Sequence, residues 1–85
     1  MRLDKFLKVS RIIKRRTVAN DACDNEHVTV NGRQAKASYE VKEGDLLTVS
    51  FGGKSLTVKV LDVKEHAGKA EASSMYEVVQ GEDNL

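Results

Sequence analysis

The sequence predicts an α+β fold, with two short N-terminal helices set against a small, mostly antiparallel β-sheet that ends in a C-terminal β extension. Three observations carry this expectation. Apolar residues in the first two dozen positions recur at helical spacing, whereas from His27 onward they alternate with polar ones. The tight-turn pairs Asn31-Gly32 and Gly52-Gly53 fall between alternating runs, and such turns join antiparallel neighbours. The chain has 85 residues, 40% of them apolar, which suffices for one small domain with a modest core.

The first helix is expected over residues 3–10, where Leu3, Phe6, Leu7 and Ser10 share one side and Phe6 and Leu7 point inward. Asp4 falls in its first turn, where a carboxylate complements the positive end of the helix dipole. Lys5, Lys8 and Arg11 drift only about 60° per step and so share a solvent-facing side. Residues 11–16, RIIKRR, form the joint: Ile12 and Ile13 hold it to the core while Arg11, Lys14, Arg15 and Arg16 project. Thr17 is the expected N-cap of a second helix over 18–24, which buries Val18, Ala19, Ala22 and Cys23. Asn25, in a left-handed conformation, is expected to end it.

His27–Val30 alternates as a half-buried strand, and after Asn31-Gly32 a short return over 34–36 turns Ala35 inward. Residues 41–45 form a turn in which Asp45 caps local amides. Strands follow at 46–51 and 55–60, the second with Leu56, Val58 and Val60 inward and Thr57 and Lys59 outward. Residues 64–74, KEHAGKAEASS, lack apolar periodicity and are expected to be a mobile loop or a ragged helix. A last strand is expected at 75–79, and the acidic residues 81–85 as a frayed tail.

Net charge is only +1, but its distribution is uneven. Residues 1–42 carry ten basic and five acidic side chains, residues 43–85 four basic and eight acidic. Seven of the first sixteen residues are basic (Arg2, Lys5, Lys8, Arg11, Lys14, Arg15 and Arg16), and Asp4 alone opposes them. That concentration on a folded element is the footprint of a phosphate-binding surface. Arg16, just before a helix N-terminus, combines a guanidinium fork with free amides and a positive dipole. The competing reading of Arg16 is a surface ion pair with Asp21 or Asp24.

Other function classes find little support. Phosphate-cradling glycine loops, dinucleotide fingerprints and nucleophile elbows are all missing, so no enzyme is expected. Glu43 and Asp45 are explained by their turn more simply than as an acid/base pair. His27 and His66 have no cysteine pair or carboxylate cluster around them, so neither metal nor cofactor is expected. No apolar run approaches the roughly 18 residues that span a bilayer, and no signal peptide is visible. The single Cys23 fits a buried hydrophobe in a reducing, cytoplasmic setting, with Asp21 and Asp24 disfavouring its thiolate.

Arg2-Leu3-Asp4-Lys5-Phe6-Leu7, Arg16-Thr17 with Ala19, Val28-x-Val30-Asn31-Gly32, Lys36 and Gly44-Asp45 lie in one unbroken register. Together they closely resemble the RNA-binding domain named after ribosomal small-subunit protein S-four, over about residues 1–50. The stand-alone arrangement and the short β extension with Met75-Tyr76 are similar to the family of RqcP and the fifteen-kilodalton heat-shock protein. The resemblance implies a single domain over 1–80, its motif core at 1–50 and its extension at 51–80, with two helices on a small bent sheet. It also implies that Thr17, Asn31 and Lys36 join the basic side chains in gripping structured RNA.

The partners so implied are the large ribosomal subunit, rRNA, peptidyl-tRNA and RqcH, with no membrane or small-molecule substrate, and the chain as a monomer. The implied role is to hold peptidyl-tRNA on obstructed large subunits while RqcH adds a C-terminal alanine tail. The long basic C-terminal tail of the heat-shock relatives is missing, which favours the RqcP side. Rescue of the kind implied for the heat-shock relatives, and docking of an acidic protein on the basic helix, stay open. One departure concerns Glu26, where many members have glycine; Asn25 is expected to supply the left-handed residue instead.

Overall fold

Helix α1 (Leu3–Val9) forms where the apolar spacing places it, and its four leading amides are all satisfied in the computed structural model, which describes residues 1–81. Leu3 N–H donates to the Tyr39 carbonyl (2.8 Å) and Asp4 N–H to that of Ala37 (3.2 Å). Lys5 N–H donates to Asp4 Oδ1 (2.8 Å), and Phe6 N–H to the Arg2 carbonyl (2.9 Å). Segment 37–41 is thereby stitched to the N-terminus, and Val41 N–H completes the seam on the Met1 carbonyl (2.9 Å).

Helix α2 runs Arg16–Asp24, two residues longer at its start than expected. Its N-cap is Arg15, without a side-chain cap bond, so Thr17 lies inside the first turn and caps nothing. The reason is tertiary: Arg16 and Asn20 both reach Asp4 on α1, a contact that no local capping signal records. The helix buries Ala19, Ala22 and Cys23, but Val18 is 43% exposed. Val18 sits about 90° from the centre of that stripe at 100° per residue.

Both helices end on a charged residue in the left-handed region. After α1, Arg11 has φ 64°, and its N–H bonds the Lys8 carbonyl (3.0 Å). After α2 the left-handed residue is Glu26 (φ 65°), while Asn25 has φ −96°, so the expectation for Asn25 fails by one position. His27 N–H reaches the Ala22 carbonyl (2.9 Å) and Glu26 N–H that of Cys23 (3.2 Å), the bonding of a Schellman end. Asn25 instead continues the last turn, both its N–H and its side-chain amide bonding the Asp21 carbonyl.

Five strands, β1 (Val28–Val30), β2 (Arg33–Gln34), β3 (Leu46–Phe51), β4 (Lys54–Val60) and β5 (Tyr76–Gly81), form one sheet in the order β2-β1-β3-β4-β5. Every pairing is antiparallel. Asn31 (φ 53°) and Gly32 (φ 83°) make the tight turn that fixes the β1–β2 register. Register puts Val28, Val49 and Leu56 in one inward row and Val30, Leu47 and Val58 in the next. Thr29, Thr48 and Thr57 form the outward row between them, and the last two hydroxyls bond at 2.9 Å. The inward rows share one core cluster with Leu3, Phe6 and Leu7 of α1, Ala19, Ala22 and Cys23 of α2, and Met75.

Segment 61–75 is more ordered than its composition foretold. It holds a third helix, α3 (Lys69–Ser73), which buries Ala72. Leu61 and Asp62 N–H both donate to the Met75 carbonyl, closing the segment at its base. Of the two expectations for 64–74, a loop or a ragged helix, the short helix is found over part of it, and Glu65 is tied to Lys5. Opposite Thr57 and Val58, whose partners are Gln80 and Val78, the extra residue Val79 makes a bulge that bends β5. Gly81, expected to open the tail, pairs with Leu56, and a Cβ there would clash with the Ser55 carbonyl oxygen. Residues 82–85 of the expected acidic tail lie outside the described residues.

Candidate nucleic-acid interface

The geometry of the basic surface turns on Asp4. Its side chain is 3% exposed, yet it accepts from four donors. Arg2 Nε reaches Oδ1 at 3.1 Å and Lys5 N–H the same oxygen at 2.8 Å. Arg16 Nε lies 3.5 Å from Oδ2, which also accepts Asn20 Nδ2 at 3.2 Å. Burial acts to raise this carboxyl's pKa, but the bonds from Arg2 and Asn20, the Arg16 charge and the Lys5 amide outweigh it and hold the carboxyl below the ordinary aspartate range. Two arginines, one the N-cap of α1 and the other the first residue of α2, are thus gathered on one buried anion.

Both arginines use Nε for this contact, and both side chains remain 48% exposed. A guanidinium has five N–H donors, so the terminal nitrogens stay available for phosphate oxygens. Asp4 therefore orients the forks and lowers their mutual repulsion without consuming them. The anticipated alternative, Arg16 paired with Asp21 or Asp24, is replaced by Asp4. Beside Arg16, a hollow of about 300 Å³ is lined by Asp4, Thr17, Asn20 and Asp21. Its two carboxylates, Asp4 and Asp21, make it a poor seat for an anion.

The other expected site residues fall into separate groups. Lys8, Arg11, Lys14, Arg15, Thr17 and Lys36 are all exposed. Lys5 is half-buried and pairs with Glu65, sixty residues away, so it clamps α1 to segment 61–75. The bond and charge of Lys5 hold the Glu65 carboxyl below its usual range. Asn31 spends its side-chain amide internally, donating to Asp45 Oδ1 (3.1 Å) and accepting Leu46 N–H (2.9 Å). It shapes the turn. Lys8, Arg11 and Lys14 line a cleft of about 750 Å³ whose far wall carries His66 and Lys69, neither of which any local sequence signal marked.

Two buried groups are structural. Asp45, 8% exposed, also accepts the Lys42 N–H (2.9 Å) and the Tyr39 hydroxyl (3.0 Å). Burial favours its neutral form, yet these bonds and the Lys42 charge hold its pKa below the ordinary value. Cys23 is 4% exposed, and burial, with the charges of Asp4 and Asp24, pushes its thiol up to about 11. A thiol so placed is inert packing.

An S4 domain profile matches residues 1–47. The chain belongs to the S4 domain family. Among named relatives, it is 57% identical to the RQC P-site tRNA stabilizing factor of Halalkalibacterium halodurans, over 96% of this chain and 93% of that protein. It is 55% identical to the protein of the same name in Bacillus subtilis, over 96% of this chain and 95% of that one. The fold of this S4 domain chain is also that of trimeric Heat Shock Protein 15 from Vibrio cholerae, with a TM-score of 0.86 and 30% identity over 93% of this chain and 81% of that one. The Asp4-centred pair and the Asn31 turn both lie inside the S4-matched residues, whereas β4, α3 and β5 lie beyond them.

Proposed function

We propose that this S4 domain protein is a non-enzymatic RNA-binding factor of bacterial ribosome-associated quality control, acting in the cytoplasm. In this reading it binds obstructed large ribosomal subunits through rRNA and peptidyl-tRNA and supports RqcH-driven alanine tailing of stalled chains. One observation carries the RNA reading: Arg2 and Arg16 converge on the buried Asp4 through Nε, with both side chains still about half exposed. Support for the ribosomal setting comes from near-full-length relatives named as P-site tRNA stabilizing factors. The Heat Shock Protein 15 likeness favours a second reading, recycling of the subunit by tRNA rescue.

The direct test is co-sedimentation with large subunits from cell lysate. Arg2→Ala and Arg16→Ala should fold yet lose association, while Lys54→Ala, on the hairpin between β3 and β4, should behave as the parent. Equal co-sedimentation of all three variants defeats the assignment of this site. Tailing is separated from rescue by a stalled-chain reporter in a strain lacking the gene. Alanine tails that vanish in that strain and return with the parent chain, but not with Arg16→Ala, support tailing. Tails that persist without the gene favour rescue. We further propose that the chain acts as a monomer, which equilibrium sedimentation checks.

A further inference from the structure

The cleft between the C-terminal end of α1 and segment 65–69 is built from two distant parts of the chain. Lys8, Arg11 and Lys14 from the first part and His66 and Lys69 from the second line one cleft of about 750 Å³. The only acid on its lining is Glu65, and Lys5 neutralises it by pairing with it. Four permanent cations around one cleft repel one another, and a polyanion relieves that repulsion. Arg11, in the left-handed position that ends α1, carries its side chain to the cleft lining.

We infer that this cleft is a second phosphate-binding site, taking the ribose-phosphate backbone of the same RNA that the Arg2–Arg16 pair grips. The inference rests on the RNA-binding reading and extends it to His66 and Lys69. A polymeric anion fits better than a free one because the two sites lie at opposite ends of α1: Arg2 is its N-cap, and Arg11 follows its C-cap. The seven helical residues between them, Leu3–Val9, rise roughly 10 Å, so one strand of RNA spans both. The clamp between Lys5 and Glu65 holds the far wall against α1, which makes Glu65 a positioning residue rather than a repelling one.

The experiment uses the full chain and deacylated tRNA as probe. Binding is followed by fluorescence anisotropy across a salt series, and backbone amides by heteronuclear NMR. Lys69→Ala should lower the slope of log affinity against log salt by about 1, the signature of one lost phosphate contact. His66→Ala should weaken affinity at every salt, and Lys59→Ala, on β4, should match the parent. The amides of residues 66–69 should shift together with those of 8–14 on adding tRNA. A steep parental slope with Lys69→Ala and His66→Ala unchanged, and amides 66–69 unmoved, overturns the cleft while the RNA reading stands. A flat parental slope with no shifted amides overturns both.

Discussion

Asp4 and Asp45 show how a single carboxylate sets local geometry on this chain. Each accepts several bonds, and each has a pKa held below the ordinary aspartate value. A depressed carboxyl contributes stability that is present above its unfolded pKa, about 3.9, and lost as pH falls toward its folded value. The melting temperature should therefore hold above about pH 5 and fall progressively below about pH 4, with Asp45→Asn showing a flatter acid limb. Asp45→Ala strands donors from Asn31, Tyr39 and Lys42 and should cost roughly 2–3 kcal/mol in denaturant unfolding. Glu26 offers the opposite test: glycine in its left-handed site should stabilise by about 0.5–1 kcal/mol, since the strain removed exceeds the added chain entropy.

Among the elements, α1 carries both duties, apolar on one side and cationic on the other. Phe6 is fully buried, so Phe6→Ala should cost roughly 3–5 kcal/mol, a large share of the ~5–15 kcal/mol available to such a domain. A thermal melt followed by circular dichroism reads this directly. Lys5→Glu on the opposite side should leave the melting temperature nearly unchanged, because an ion pair with an exposed partner contributes little. Its effect is local: amide hydrogen exchange in residues 64–69 should quicken as two carboxylates repel. The swap of Lys5→Glu with Glu65→Lys should restore slow exchange, and a double variant as fast as the single one would show that the clamp does not hold the segment.

For the whole molecule, net charge misleads and charge placement informs. A chain of charge +1 suggests weak, salt-insensitive contact with polyanions. With the N-terminal cations gathered on α1, its joint and the start of α2, a slope of about −3 to −6 in log affinity against log salt is expected, at 0.7–0.9 per phosphate contact. A slope near −1 would mean that most of these cations are solvated and idle. The acidic residues of the C-terminal half also include Glu65, which faces the basic wall and is spoken for by Lys5.

How much could be read before folding follows from the range of each interaction. Helical spacing through Leu3, Phe6 and Leu7, alternation in β3 and β4, and the Asn31-Gly32 turn are short-range signals, and they fixed the α+β class and most element bounds within a residue or two. The basic cluster was equally legible, since seven of its charges lie within sixteen residues. Tertiary structure decided the rest. The start of α2 followed from Arg16 and Asn20 reaching Asp4, not from a Thr17 cap. The left-handed residue moved to Glu26 because Asn25 found a partner in the Asp21 carbonyl. Above all, no local pattern in 64–74 announces that His66 and Lys69 stand opposite Lys8 and Lys14, because only packing brings residues more than fifty positions apart to one cleft.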